Sequence, residues 1–238
     1  MHRITVAGLE FDVIQKKIKH LHLGVYPPDG KVRISAPSGF DDEAVRLAVI
    51  SKLGWIRRCQ KEYREQVRQS PREYLPRESH YFFGQRYLLN ITEQKGKSEV
   101  LIRNKSVIDM YVPQGSDSRK PEQILSGWYR KELKARIPSL IEKWEPVIGV
   151  KVSKWGVKKM KTKWGSCNPE AKRIWVNLEL AKKPEICLEY IIVHEMVHLL
   201  ERNHNGHFRE LMDKFMPQWQ LYRDELNQSP LAHENWAY

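Results

Sequence analysis

Cysteine is scarce in this sequence: three residues in 238, Cys59, Cys167 and Cys187, are too few and too scattered for a disulfide framework. That excludes the small stapled scaffolds of oxidising compartments. Apolar runs are short as well. Nothing approaches the roughly 18 consecutive apolar residues of a membrane-spanning helix, and Met1 to Thr5 lead into no apolar signal region. A cytoplasmic protein with no membrane segment is therefore expected. Acidic residues are the third shortage, since 29 Asp and Glu stand against 41 Lys and Arg, a net charge of +12. Such a surplus favours anionic partners, nucleic acid or phosphates, through steering and counterion release, although here it is spread over several expected helices. Its densest run is Lys158-Lys159-Met160-Lys161-Thr162-Lys163-Trp164. No internal repeat or low-complexity segment is evident. What remains is a globular composition, 41% hydrophobic with eight tryptophans, enough for one large or two small domains.

Histidine is concentrated where the other shortages matter least. Four of the nine fall within residues 191–208, IIVHEMVHLLERNHNGHF. Leu188, Ile192, Met196 and Leu199 recur at helical spacing, Pro184 and Glu185 suit a first turn, and Asn203 to Gly206 read as a stop. On such a helix His194 and His198 stand on one face, one turn apart, where two imidazoles can hold a single Zn²⁺. Glu195 projects about 100° round the helix, placed to take a proton from water at the metal without being a ligand. The bland alternative is an amphipathic helix with two satisfied histidines. A third ligand is open at this level: His204 has the metzincin separation, but Glu201 stands where that motif has glycine, and His207, Glu201 and Glu210 compete.

Along the chain, residues 3–36 alternate as a β-meander with a turn at Pro27-Pro28-Asp29-Gly30. A helix follows, capped by Ser38 or Asp41, with Val45, Val49, Leu53, Trp55 and Ile56 apolar and a charged end. Two or three strands precede a polar stretch, 114–121, which suggests a boundary: an N-terminal β-rich domain over 1–115 and a second domain over 116–238. The second begins with a long helix from about Glu122 striped by Leu125, Tyr129, Leu133, Ile137, Leu140 and Trp144 and interrupted at Pro138. Strands are expected near 150–157 and 173–180, joined by the loop KTKWGSCNPEAK, then the histidine helix and one further helix faced by Phe208, Leu211, Met212 and Phe215. The fold class is α+β. RIWVNLEL (173–180), as an edge strand beside a cleft, could accept an extended peptide.

WIRR at 55–58, FGQRY at 83–87, KWGSCN at 163–168, RIWVNLEL at 173–180, Pro184, HEMVHLLERNHNGHF at 194–208 and MPQW at 216–219 together resemble the YgjP-like zinc metallopeptidases of bacteria, and more distantly the SprT-like proteases. The resemblance spans nearly the whole chain. It implies a gluzincin-like minimal zincin core: long helix, small antiparallel sheet, HExxH helix and following helix. It also implies Zn²⁺ on His194, His198 and His204 with Glu195 as the catalytic carboxylate. Lys163 replaces an arginine common in the family, and His207 a small residue or proline. The activity so implied is peptide or protein hydrolysis, with nucleoside triphosphate (UTP) pyrophosphohydrolysis as the alternative. A nucleic-acid-binding module with structural zinc closed by Cys167 or His207 is a third expectation. Asn177 could orient a histidine ligand, Lys163 or His207 could meet substrate, and Tyr222, Lys163 or Tyr190 could stabilise the transition state.

Overall fold

The computed structural model describes residues 2–26, 30–65, 73–160 and 163–228, and the chain is α+β, with five α-helices and three small sheets among them. The chain divides between Arg68 and Gln69 into two compact units, not near 115 as the polar stretch suggests. The reason is hydrophobic. Ile108, Met110 and Val112, before that stretch, share one core with Leu125, Tyr129 and Leu133, after it.

In the first unit, β1 (His2–Val6) and β2 (Leu9–Lys16) form a hairpin. Its turn, Ala7-Gly8, has φ of 50° and 78°, the left-handed values that match the twist of tightly connected strands. β3 (His22–Tyr26) and β4 (Lys31–Pro37) complete the sheet in the order β1-β2-β4-β3, with β2 and β4 parallel. A simple meander is thus replaced by a crossover. Of the turn expected at 27–30, residues 27–29 lie outside the described residues. Asp41 is the cap: its Oδ1 accepts from Ala44 N at 2.8 Å and opens α1 (Asp42–Glu65). Val45, Val49 and Ile56 of α1 join Phe11, Val13, Val32 and Ile34 in the core, each full burial contributing about 1.5–3 kcal/mol. Trp55, expected on that face, is 41% exposed.

The second unit begins with the same arrangement. β5 (Ser79–Phe82) and β6 (Gln85–Gln94) form a hairpin across Phe83-Gly84, whose φ values are 41° and 79°. β7 (Glu99–Arg103) and β8 (Val107–Pro113) follow, the order is β5-β6-β8-β7, β6 and β8 are parallel, and a long helix comes next. Four strands therefore stand where two or three are expected, and the chain contains a structural repeat of four strands and a helix that its residue pattern does not reveal.

The helix after the second copy, α2 (Lys120–Ile148), buries Leu125, Tyr129, Leu133, Ile137, Ile141, Trp144 and Ile148, continues through Pro138, and ends at Gly149 with φ 78°. Ile141 rather than Leu140 carries the stripe. Beyond it, β9 (Lys154–Lys158), β10 (Gly165–Asn168) and β11 (Arg173–Asn177) form a sheet in the order β10-β11-β9. β9 and β11 run parallel, so the sheet is mixed rather than antiparallel, and three further expectations change here. Part of the supposed loop is β10, an edge strand, and RIWVN is the central strand, followed by a 3₁₀ turn over Leu178–Lys182 rather than more strand. The histidine helix, α3 (Glu185–Val197), is buried on nearly every side by Cys187, Leu188, Ile191, Ile192, Val193, Met196 and Val197. Phe83 N donates to Ala181 O at 2.9 Å just before it. A Cβ on Gly84 would lie 3.0 Å from Cγ of Pro184, so the β5–β6 turn rests on the start of α3 only as glycine. After α3 come two helices rather than one, α4 (Gly206–Phe215) and α5 (Trp219–Gln228).

Candidate metal centre and cleft

Regular helix ends at Val197, with His198 as the capping residue, and the chain turns through Asn203 before α4 starts. Asn205 makes that start possible by accepting from Phe208 N at 3.0 Å. The turn delivers His204 to the helix face that carries His194 and His198. Ligand atoms of the three lie within 4.8 Å of one another, and Nε2 of His204 is 2.9 Å from Nε2 of His194. His198 Nδ1 is 3.0 Å from the Glu201 carbonyl oxygen, which it meets as donor, so Nε2 is its remaining nitrogen. His207 stays outside, exposed and paired with Glu210 at 3.6 Å. Phe208, buried, lies under all three imidazoles at 5.0, 4.7 and 4.7 Å between ring centroids. Its helical spacing alone predicts only a core position.

Burial, with the other two histidines adding to it, pulls His194 down to about 3, and burial likewise lowers His198. Both are therefore neutral at physiological pH, the form in which imidazole binds a metal. The buried Nδ1 of His194 has no hydrogen-bond partner among the described residues. Glu195 is 5% exposed, and burial pushes its carboxyl up to about 8 against the opposing charge of Lys163. A carboxylate so placed accepts a proton readily near neutrality.

These groups open on a cleft of about 790 Å³ walled by β10, α3 and α5. Gly165 of β10 faces the glutamate so closely that a Cβ there would stand 2.5 Å from Glu195 Oε1. Cys167 lies in the same wall; burial, and next the charge of Glu195, push its thiol up to about 11, and it takes no part in the histidine group. Tyr190, one turn before His194, meets that imidazole edge-on at 5.8 Å, and burial pushes its phenol up to about 12. Lys163, Arg202 and Arg223 also line the cleft. Tyr222 does not; its hydroxyl donates to Gln218 at 2.8 Å, and the neighbouring Arg223 is the α5 residue that sequence reading missed.

Asn177 is buried but orients no histidine. Its Nδ2 donates to the carbonyls of Met160 and Lys163 at 2.9 and 2.8 Å, and its Oδ1 accepts from Met160 N and Glu179 N, each at 3.2 Å. Its own N–H donates to Trp164 O at 2.9 Å. The residue therefore pins both ends of the segment that leads into β10. Of the basic run, Lys161 and Thr162 lie outside the described residues.

The sequence matches the model of the YgjP-like metallopeptidase domain over residues 20–229. The chain belongs to this family. It is accordingly a metal-dependent hydrolase of the peptidase kind, and a divalent metal is implied. The residues present fit such an ion, since three imidazoles converge and no sulfur or fourth protein ligand joins them among the described residues. The nucleotide and nucleic-acid readings gain no support from the match. Among solved structures, that of the metallopeptidase zymogen of Pyrococcus abyssi abylysin is similar, at 18% identity over 38% of this chain and 90% of that one, with a TM-score of 0.35. No curated protein matches the sequence. None of the described helices is long and apolar enough to cross a membrane.

Proposed function

We propose that the chain is a zinc peptidase in which His194, His198 and His204 hold Zn²⁺ and Glu195 is the general base. The observation that carries this reading is the convergence of three imidazoles within 4.8 Å beside a buried carboxylate. Three protein ligands suit a hydrolytic zinc site, in which the fourth position serves water or substrate. When bound, the ion supplies Lewis-acid polarisation of the scissile carbonyl and lowers the pKa of water.

The remaining steps belong to the protein. Glu195 takes the proton of the attacking water and hands it to the leaving amine. Tyr190, kept protonated by burial, is a donor toward the oxygen on which charge develops. Among the described residues β10 is hydrogen-bonded to β11 on one side only, so its other edge can take an extended peptide as an added strand. Asn177 fixes the segment ahead of β10 and with it the level at which that peptide lies.

X-ray absorption and metal analysis test the ligand set: one zinc with three imidazoles and one light oxygen donor is expected, lost in His204→Ala and kept in His207→Ala. Glu195→Gln should retain the metal while peptide hydrolysis falls about 10²- to 10⁴-fold. A sulfur ligand, or an active Glu195→Gln protein, would overturn the assignment.

A further inference from the structure

We infer that the cleft selects acidic peptides, with carboxylate side chains on the two sides of the scissile bond met by Arg202 and Arg223. This rests on the peptidase reading above and specifies its substrate class. Cations reach the cleft from three separate elements: Lys163 from the segment before β10, Arg202 from the turn after α3, and Arg223 from α5. Both arginines line the same cleft as His194, His198 and His204. Arg202 follows His198 by four residues, past the end of α3, and Arg223 stands near Tyr190, one turn before His194, closely enough for its charge to favour the phenolate. A peptide lying over the histidines therefore shares its cleft with both guanidiniums.

Arg202 is not consumed by the fold, and Arg223 only in part. Arg202 makes no side-chain ion pair among the described residues. Arg223 holds Asp224 Oδ1 through Nε and Nη2, both at 2.9 Å, and packs over Trp219 at 5.2 Å, so its plane is fixed while neither bond uses Nη1. A guanidinium held in one orientation is suited to a second carboxylate. Among the described residues that line the cleft, opposing charge comes from Glu195, engaged in the chemistry, and Glu170, two residues beyond the end of β10, while Asp224 offsets part of the Arg223 charge. A bound divalent ion adds charge of the same sign as the arginines. Exposed pairs of this kind change affinity by roughly two- to fivefold each, so two of them acting together yield about tenfold selection.

The test uses the metal-loaded full chain and three internally quenched peptides of one scaffold, carrying Glu, Gln or Lys on both sides of the scissile bond. Expected is a kcat/KM order of Glu over Gln over Lys, with about tenfold between the extremes and a gap that narrows as salt is raised. Arg202→Glu and Arg223→Glu should each invert the preference on one side, read as the ratio of kcat/KM for the Glu and Lys peptides within each variant. Equal rates for the three peptides, or an order that survives both variants, overturns the inference. Anisotropy of the same peptides, labelled, on Glu195→Gln reads selection without hydrolysis. If the wild type cuts none of them the peptidase reading fails, and tighter binding of the Glu peptide still supports charge selection whereas equal binding overturns it.

Discussion

Gly165→Ala is the substitution whose effect follows most directly from the geometry. The added Cβ would lie 2.5, 2.8 and 2.9 Å from Oε1, Cγ and Cδ of Glu195. An ordinary contact begins near 3.4 Å, so the carboxylate must retreat by about 0.9 Å. It has little room to do so, because Glu195 is 5% exposed and its helix is packed by Leu188, Ile192 and Met196. Moving a catalytic group by about 1 Å costs roughly 10²-fold in rate, while overpacking of this size costs about 1–3 kcal/mol of stability. The histidine triad is untouched. Gly165→Ala should thus bind one metal per chain, melt within several degrees of wild type, and show kcat lowered about 10²-fold in a steady-state peptidase assay. Gly127→Ala is the control: nothing lies within 4 Å of a Cβ there, the site is mid-helix in α2, and about 0.5–1 kcal/mol of added stability is expected. If Gly165→Ala keeps kcat within threefold, the glycine is not what seats Glu195 and the reasoning fails.

Asn177→Ala removes an amide that satisfies the backbone of residues 160, 163 and 179. Leaving buried partners unmatched costs about 1–3 kcal/mol per group; a lower Tm and a raised KM are expected in thermal melts and steady-state kinetics, because the segment carrying Lys163 and β10 loosens. In the first unit, Asp12 is 4% exposed and meets Lys31 at 2.9 Å and Arg3 at 3.2 Å. Lys31, against burial and with help from Arg3, holds its carboxyl below the ordinary value. A folded pKa below the unfolded one means stability that is complete above the unfolded pKa and disappears as pH falls through the folded pKa. Urea midpoints should therefore fall below about pH 4, and Asp12→Asn should flatten that slope; an unchanged slope would place the acid sensitivity elsewhere.

Much of the candidate metal centre is legible in the sequence because it is local. His194, Glu195 and His198 are fixed by helical spacing, and the Asn203-His204-Asn205-Gly206 stop returns His204 to the same face. What surrounds it is not local. β10 is four residues long, begins with glycine and reads as loop, since strand periodicity needs more residues than it has. Gly165 owes its importance to a side chain thirty positions away, and Arg223 looks like any charge on a solvated helix until α5 is folded against the cleft. Asn177 is expected from the sequence to orient a histidine ligand, but its partners are backbone groups of the segment before β10, which no pattern of side chains could have named.

The structural repeat shows the same limit at the scale of the fold. Ala7-Gly8 and Phe83-Gly84 share a backbone conformation, and both sheets share an order, yet the strands that build them have few residues in common because a pleated, half-buried strand accepts many apolar choices. The two helices differ for a physical reason. α1 leaves Leu47 60% and Ile50 53% exposed, whereas α2 buries seven residues along its length and shares its core with Ile174, Leu188 and Ile192. A helix that covers a sheet alone needs one apolar face; α2 covers a sheet and also the helix that carries the histidines, so it must be apolar along its whole length. Lys143 and the indole of Trp144 extend that contact by holding Glu189 of α3, both to Oε1, at 2.6 and 2.8 Å. The rigidity that a triad of imidazoles needs is thus supplied by the second copy of the repeat, through its helix along the flank of α3 and its β5–β6 turn at the beginning.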